Sequence, residues 1–276
     1  MLSQRVKAAL VFVPLVLILI YFGGWAFNLF IMALLLFAAF EYTRLFKKMG
    51  HQVSFFVLLI GVSLFIVQRW FLEDAHLGIL LSLVVLITVV GALIDYESGT
   101  TDTATSFALN LSGIIYLGWV GGAFIPLRAL AFGRGWLLTA LPAVWLADSG
   151  AYFIGKWLGK SKIAPRLSPG KTWAGLIGGI IVGTIFGTLL VLLWRSIGFL
   201  AGTTPLWQGA VMGCVLSTLA PVGDLLISLF KRTAGVKDTG NLIPGHGGIL
   251  DRIDSWIWAA MIGYYLVLLF NFNYSI

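Results

Sequence analysis

The sequence predicts an all-α integral membrane protein of about nine transmembrane helices, with a polar active-site cavity facing the cytoplasm. Three observations carry that expectation. Of 276 residues, 59% are hydrophobic and only 11% are charged, whereas a soluble domain carries roughly 25% charged residues. Apolar stretches of about 17 to 25 residues, the length a helix needs to cross hydrocarbon, recur along the chain. The charges that remain gather in particular loops and at particular helix ends. This composition excludes an intrinsically disordered chain. With Cys214 alone in an apolar run, it also excludes a disulfide scaffold and paired-thiol redox chemistry. The net charge of +7 reads as Lys and Arg held in cytoplasmic loops, together with an anionic substrate, and not as nucleic-acid binding.

The nine stretches run over residues 8–22, 24–40, 53–68, 77–94, 106–125, 136–156, 173–194, 206–230 and 253–270. Arg5 and Lys7 before the first suggest a signal peptide. No small-residue cleavage site follows, and Gly23-Gly24 leads straight into the next span, so the first is expected as a retained helix. After the sixth span, Lys156, Lys160, Lys162, Arg166 and Lys171 stand without an acid among them, which places that loop in the cytoplasm. The N-terminus and the loop with Lys231, Arg232 and Lys237 fall on the same side. Two loops fit this orientation badly: one carries Asp95, Glu97 and Asp102 on the cytoplasmic side, the other Arg128 and Arg134 on the external side. The organisation expected is an N-terminal region of about five spans over 1–135 and a C-terminal catalytic region of about four spans over 136–276. In the seventh span Gly175, Gly179, Gly183 and Gly187 recur every four residues, a smooth stripe that lets another helix approach closely. Packing within the chain is its expected use, a dimer seam the other.

Between Asp224 and Asp254 stand eight charged residues: Asp224, Lys231, Arg232, Lys237, Asp238, Asp251, Arg252 and Asp254. An uncompensated carboxylate inside an apolar span costs about 2.5 to 3.5 kcal/mol, so Asp224 needs a cation or an aqueous cavity. Asp224, Ser228 and Lys231 share one helical face by their spacing, and Asp251 and Asp254 share another at the start of the ninth span. Asp251 also suits a helix N-cap. Carboxylates converging from two helix ends suit a hard cation such as Mg²⁺, which takes one or two of them and fills its other positions with water and phosphate oxygen. Between those helices, Gly240, Gly245, Gly247 and Gly248 allow backbone N–H groups to line an anion-binding concavity flanked by Lys231, Arg232, Lys237 and Arg252. His246 has no thiolate or second histidine beside it, which excludes zinc and leaves phosphate binding or loop ordering. Upstream, Asp148-Ser149-Gly150-Ala151-Tyr152 precedes Lys156, Lys160 and Ser168-Pro169-Gly170-Lys171-Thr172. The last five residues are no nucleotide-binding P-loop, because Pro165 stands where that motif needs glycine. They read as a basic turn with hydroxyls at the mouth of a helix, and Asp148 as a charge partner for the basic loops or as part of the polar cavity.

Ser228-Leu-Phe-Lys231-Arg232, Lys237-Asp238, Pro244-Gly-His246-Gly-Gly248 and Asp251-Arg252-Ile-Asp254 closely resemble the C-terminal signature of phosphatidate cytidylyltransferase, or CDP-diacylglycerol synthase. Asp148-Ser-x-Ala-Tyr152, Gly155-Lys156, Gly159-Lys160 and Ser168-Pro-x-Lys171-Thr172 are similar to that family too, so the resemblance covers roughly residues 145–270. Ala174 departs from it, since members commonly carry Glu there. The resemblance implies conversion of CTP and phosphatidate to CDP-diacylglycerol and pyrophosphate with Mg²⁺, in a homodimer; the absence of soluble extensions gives a bacterial cytoplasmic membrane as the expected location. Because the phosphatidate phosphate is already an anionic nucleophile, catalysis should rest on metal and fixed cations. The expected assignment puts Asp224, Asp251 and Asp254 around Mg²⁺. It gives Lys231, Arg232, Lys237, Arg252 and His246 the phosphates and leaving group, counts Ser228 and Asp238 with them as substrate-binding, and gives Ser168, Lys171 and Thr172 the second phosphate. A CDP-alcohol phosphotransferase would need Asp-Gly-x-x-Ala-Arg and Asp-x-x-x-Asp, which the sequence lacks. A transporter or channel would need charges along a path across the bilayer, whereas these gather at one face.

Overall fold

The computed structural model describes the backbone of residues 2–72, 76–240 and 247–272, with side chains from residue 12 to 271. Among the described residues the chain is eleven α-helices and one small hairpin: α1 (Leu2–Phe22), α2 (Gly24–Lys48), α3 (Phe55–Phe71), α4 (Leu77–Glu97), α5 (Thr103–Ile114), α6 (Phe124–Ala129), α7 (Gly133–Leu158), β1 (Lys162–Ala164), β2 (Ser168–Thr172), α8 (Trp173–Ser196), α9 (Leu206–Leu219), α10 (Pro221–Thr233) and α11 (Leu250–Phe272). It is an all-α integral membrane protein. Among the described residues, seven helical stretches are long and apolar enough to cross a membrane, while Phe12–Phe22 and Phe55–Phe71 are apolar but shorter. Each of the nine expected stretches is therefore helical.

Two of those stretches are not uniform helices. A π-helical turn (Ile115–Val120) and a 3₁₀ turn (Gly121–Ala123) join α5 to α6. The eighth stretch breaks at Ala220 into α9 and α10, because Pro221 supplies no backbone donor to continue the ladder. Asp224 consequently lies in the first turn of a new helix, where the helix dipole favours a carboxylate.

The chain divides into two compact units, each assembled from several stretches. The first comprises residues 1–15, 24–126 and 230–252; the second comprises 16–23, 127–229 and 253–276. In the first, α2 buries Phe27, Ile31, Leu34, Leu35, Ala38, Tyr42 and Leu45 along one face, spaced as an amphipathic helix requires. Tyr42 donates from its hydroxyl to the Leu109 carbonyl at 3.0 Å. Asn110 accepts from the Ser54 amide at 3.1 Å, and Ser54 itself caps α3. His51 and Asp102 pair at 2.7 Å. Hydrogen bonds from Thr105 and His51 hold the Asp102 carboxyl below its ordinary value, which gives one acid of the ill-fitting loop a local partner.

In the second unit the glycine stripe of α8 is consumed by packing within the chain. A Cβ on Gly175 would stand 2.7 Å from the Ala151 carbonyl of α7, and one on Gly179 would stand 3.0 Å from that of Ala147. On Gly183 it would overlap Ser217 Oγ, and on Gly187 the Gly209 carbonyl, both of α9. The stripe is the surface that lets three helices meet backbone to backbone, and it is no dimer seam. Exposed apolar side chains such as Ile177, Ile181 and Ile185 line the opposite face of α8. Arg128 donates from Nε to the Ile20 carbonyl at 2.7 Å and from Nη2 to that of Tyr21 at 3.2 Å, neutralising the carbonyl end of α1. Arg134 stacks over Phe199, 3.9 Å from the ring centroid, and over Tyr21. These two cations do local structural work, which accounts for a loop that charge-based orientation fits badly.

Candidate active site

In the second unit, the residues following α7 fold as an antiparallel hairpin, with Lys162 opposite Thr172 and Ala164 opposite Ser168. The sequence reading expected only a basic turn. Thr172 ends β2 and caps α8: it is 3% exposed, and its hydroxyl accepts from the Gly175 amide at 3.1 Å. Gly155 and Gly159 leave the space that this hydroxyl fills. Thr172 is thus tied to the helix start, while Ser168 lies half-buried in β2.

Lys171, between them, reaches α10. Its Nζ lies 2.6 Å from Asp224 Oδ2 and donates to the Pro221 carbonyl at 3.3 Å. Asp148 of α7 belongs to the same unit. Ser228 Oγ makes a long 3.4 Å bond to Asp224 Oδ1. Gly223 has no room for a side chain against the Asp254 carbonyl and Trp258, so the segments carrying Asp224 and Asp254 touch. Asp254 is 7% exposed, and its Oδ1 accepts from the Ser255 amide at 2.6 Å. Residues from two separate sequence motifs, Asp148 and Lys171 from one and Asp224 and Asp254 from the other, are therefore gathered in one unit.

The first unit holds the rest of the expected residues. Lys231 Nζ lies 2.6 Å from Asp251 Oδ1, with the two side chains 15% and 4% exposed. Asp251 Oδ2 accepts from the Thr239 amide at 2.8 Å and the Gly248 amide at 3.1 Å, and lies 2.9 Å from the Thr239 hydroxyl, whose one proton it shares with Glu41. This is more than an N-cap: one carboxylate gathers the end of α10, Thr239 and the entry to α11. Gly247 adopts φ +82°, and a Cβ there would stand 3.0 Å from Asp251 Oδ2 and 3.2 Å from Asp238 Oδ1, so only glycine fits between the two acids. Arg232, Lys237, Asp238 and Arg252 are exposed. His246 lies outside the described residues.

One residue of this unit was missed by the sequence reading. Glu41 of α2 is 1% exposed. It accepts from the Thr239 hydroxyl at 2.9 Å, the Ile249 amide at 3.0 Å and the Leu250 amide at 2.9 Å. A lone acid just ahead of Arg44, Lys47 and Lys48 resembles an ordinary helix-end charge, and its partners lie about 200 residues away. The only sequence signal is the cost of an acid within an otherwise apolar helix.

Oxygen donors of this kind suit a hard cation. Asp251 Oδ2 is filled by three donors and Oδ1 by one, so Oδ1 alone has a lone pair to offer. Asp224 has one oxygen taken by Lys171 and one in only a long contact. Among the described residues, no three His, Cys, Asp or Glu side chains gather into a ready-made metal cluster. Single carboxylate oxygens of this kind, Asp251 Oδ1 in the first unit and those of Asp224 in the second, are the donor type that Mg²⁺ takes.

Residues 3–270 match the model of the Cytidylyltransferase family. The chain is 33% identical to the phosphatidate cytidylyltransferase of Bacillus subtilis over 272 residues, which is 96% of each chain. It is 34% identical to that of Brucella suis over 266 residues, covering 95% of this chain and 92% of the relative. It is 36% identical to that of Pseudomonas aeruginosa over 266 residues, covering 92% of this chain and 93% of the relative.

Proposed function

From the premise that the chain belongs to the cytidylyltransferase family, we propose that it transfers the cytidylyl group of CTP to phosphatidate, giving CDP-diacylglycerol and pyrophosphate. The phosphatidate oxygen attacks the α-phosphorus, the bond from that phosphorus to the bridging oxygen breaks, and pyrophosphate leaves with the electron pair. No base is needed to create the nucleophile. The obstacle is repulsion between two polyanions and charge growing on the leaving group, which fixed cations counter.

The observation that carries this reading is the Lys171–Asp224 pair at 2.6 Å. It ties the basic hairpin to the C-terminal signature, the two stretches whose residue types suit phosphate. In this account Lys171 and Ser168 hold one phosphate, with Thr172 fixing the strand that presents them. Lys231, Arg232, Lys237, Arg252 and His246 serve phosphates and the leaving group, and Ser228 and Asp238 orient their neighbours. Asp224, Asp251 and Asp254 would hold Mg²⁺, which when bound would supply Lewis-acid stabilisation of phosphoryl charge. The active residues face the cytoplasm of a bacterial inner membrane, and the enzyme is a homodimer whose seam lies elsewhere than the α8 glycines.

A double-mutant cycle tests the shared role of the two motifs. Lys171→Gln and Asp224→Asn each lower turnover by about tenfold or more, and the double variant is no worse than the weaker single one. Multiplying losses would contradict a common role.

A further inference from the structure

We infer that Glu41 is a positioning residue for the C-terminal signature: from α2 it supplies the anion that orders Thr239 and the start of α11. The inference rests on the cytidylyltransferase reading and adds a residue outside every motif that reading uses.

The argument begins with donors. A helix start exposes amide N–H groups that need acceptors, and the residues opening α11, Gly248, Ile249 and Leu250, offer no side-chain oxygen of their own. The Gly248 amide goes to Asp251 at 3.1 Å. Those of Ile249 and Leu250 go to the two oxygens of Glu41, at 3.0 and 2.9 Å. An acid from another helix thus stands where an N-cap residue ordinarily would. The backbone anion site expected from the glycines is, at these three amides, already filled by the protein's own carboxylates.

The glycines make this possible. A Cβ on Gly240 would overlap Glu41 Oε1, and one on Gly248 would overlap Glu41 Oε2 and Thr239 Oγ1. Two glycines of the signature therefore serve close approach to Glu41. The consequence reaches Asp251 through Thr239, whose hydroxyl lies 2.9 Å from Glu41 Oε2 and 2.9 Å from Asp251 Oδ2. That hydroxyl has one proton, so it donates to one carboxylate at a time. Glu41 accordingly restrains the orientation of Asp251 and, with it, of Lys231, without touching substrate in this account.

The test uses the full-length enzyme in detergent–phosphatidate micelles, with kcat and both KM values normalised to folded protein. Glu41→Gln keeps the shape but turns one accepting oxygen into a donor. It is expected to lower kcat about tenfold and raise the KM for CTP, leaving the KM for phosphatidate within twofold. Thr239→Val is expected to lower kcat about threefold or more, and the double variant to be no worse than Glu41→Gln alone. Amide exchange at Ile249 and Leu250 is expected to quicken in Glu41→Gln. Unchanged kinetic constants per folded molecule would make Glu41 a mere structural anchor and overturn the inference, as would multiplying losses in the double variant. Should Glu41→Gln fail to fold, Thr239→Val decides alone: a kcat within twofold of the parent overturns the inference. The parent enzyme's own turnover with phosphatidate tests the underlying reading separately.

Discussion

Replacing Asp251 with Asn is the most informative single perturbation, because the structure gives each oxygen of that side chain a defined task. The Oδ2 side faces three donors, so the new amide is accommodated with its carbonyl there and its NH₂ at the Oδ1 position, pointing at Lys231 Nζ 2.6 Å away. The two amide hydrogen bonds survive, the Thr239 hydroxyl stays within reach, and the ion pair is lost. With the two side chains 4% and 15% exposed, solvent screens this pair little. Leaving the ammonium without its acid costs about 3 kcal/mol or more, whereas loss of an N-cap alone costs about 1 kcal/mol, and Asn caps nearly as well as Asp. The expected phenotype is a clear fall in thermal stability together with a fall in turnover of roughly a hundredfold or more, since a proposed ligand for Mg²⁺ is removed. Replacing Lys231 with Gln at the same time should recover part of the stability, because the stranded charge is gone, but none of the turnover. The assay is pyrophosphate release across a Mg²⁺ titration, beside thermal unfolding in the same detergent. Near-normal turnover of Asp251→Asn with an unchanged Mg²⁺ requirement would refute the assignment of this residue to the reaction.

Two further outcomes follow from the geometry. Gly183→Ala forces a methyl group into Ser217 Oγ and should lower thermal stability by about 1 to 3 kcal/mol, while an alanine at exposed Gly170, where nothing lies within 4 Å, should be tolerated; equal effects would mean that the α8 stripe is not packed as described. Single cysteines near residues 163 and 240, in a background with the exposed Cys214 replaced, should both react with an impermeant reagent from the cytoplasmic side, and labelling from opposite sides would rule out a common role for the hairpin and the signature.

How much of this was legible in the sequence depends on the range of each interaction. The apolar stretches were legible because burial in hydrocarbon demands a local run of suitable length, which seven of the helical stretches among the described residues show and Phe12–Phe22 and Phe55–Phe71 fall short of. The break at Pro221 was hidden inside such a run: hydropathy averages over it, whereas a missing amide acts at one position. The hairpin over 162–172 went unseen because its strands are three and five residues long and rich in Gly, Pro and Lys, with no alternation of apolar side chains to betray them. The glycine period on α8 was plain, but its partners on α7 and α9 belong to the fold. Lys171 and Asp224 each drew notice, and their pairing is a tertiary fact. Glu41 is the extreme case, since everything that gives it a role lies at the other end of the chain. Spacing, for its part, groups Asp251 with Asp254 on one helical face, yet the contacts of Asp251 run to Lys231, Thr239 and Gly248.

The central claim is that one membrane enzyme joins CTP to a lipid phosphate on cations and carboxylates from the hairpin and the C-terminal signature. Its most direct test is pyrophosphate release by the purified protein, with lipid product counted in the same tube. The account predicts one pyrophosphate for each CDP-diacylglycerol formed, with turnover that requires CTP, phosphatidate and Mg²⁺ together and falls to background when diacylglycerol replaces phosphatidate. Pyrophosphate release that ignores the lipid, or lipid product that forms undiminished after Mg²⁺ is chelated, would contradict it.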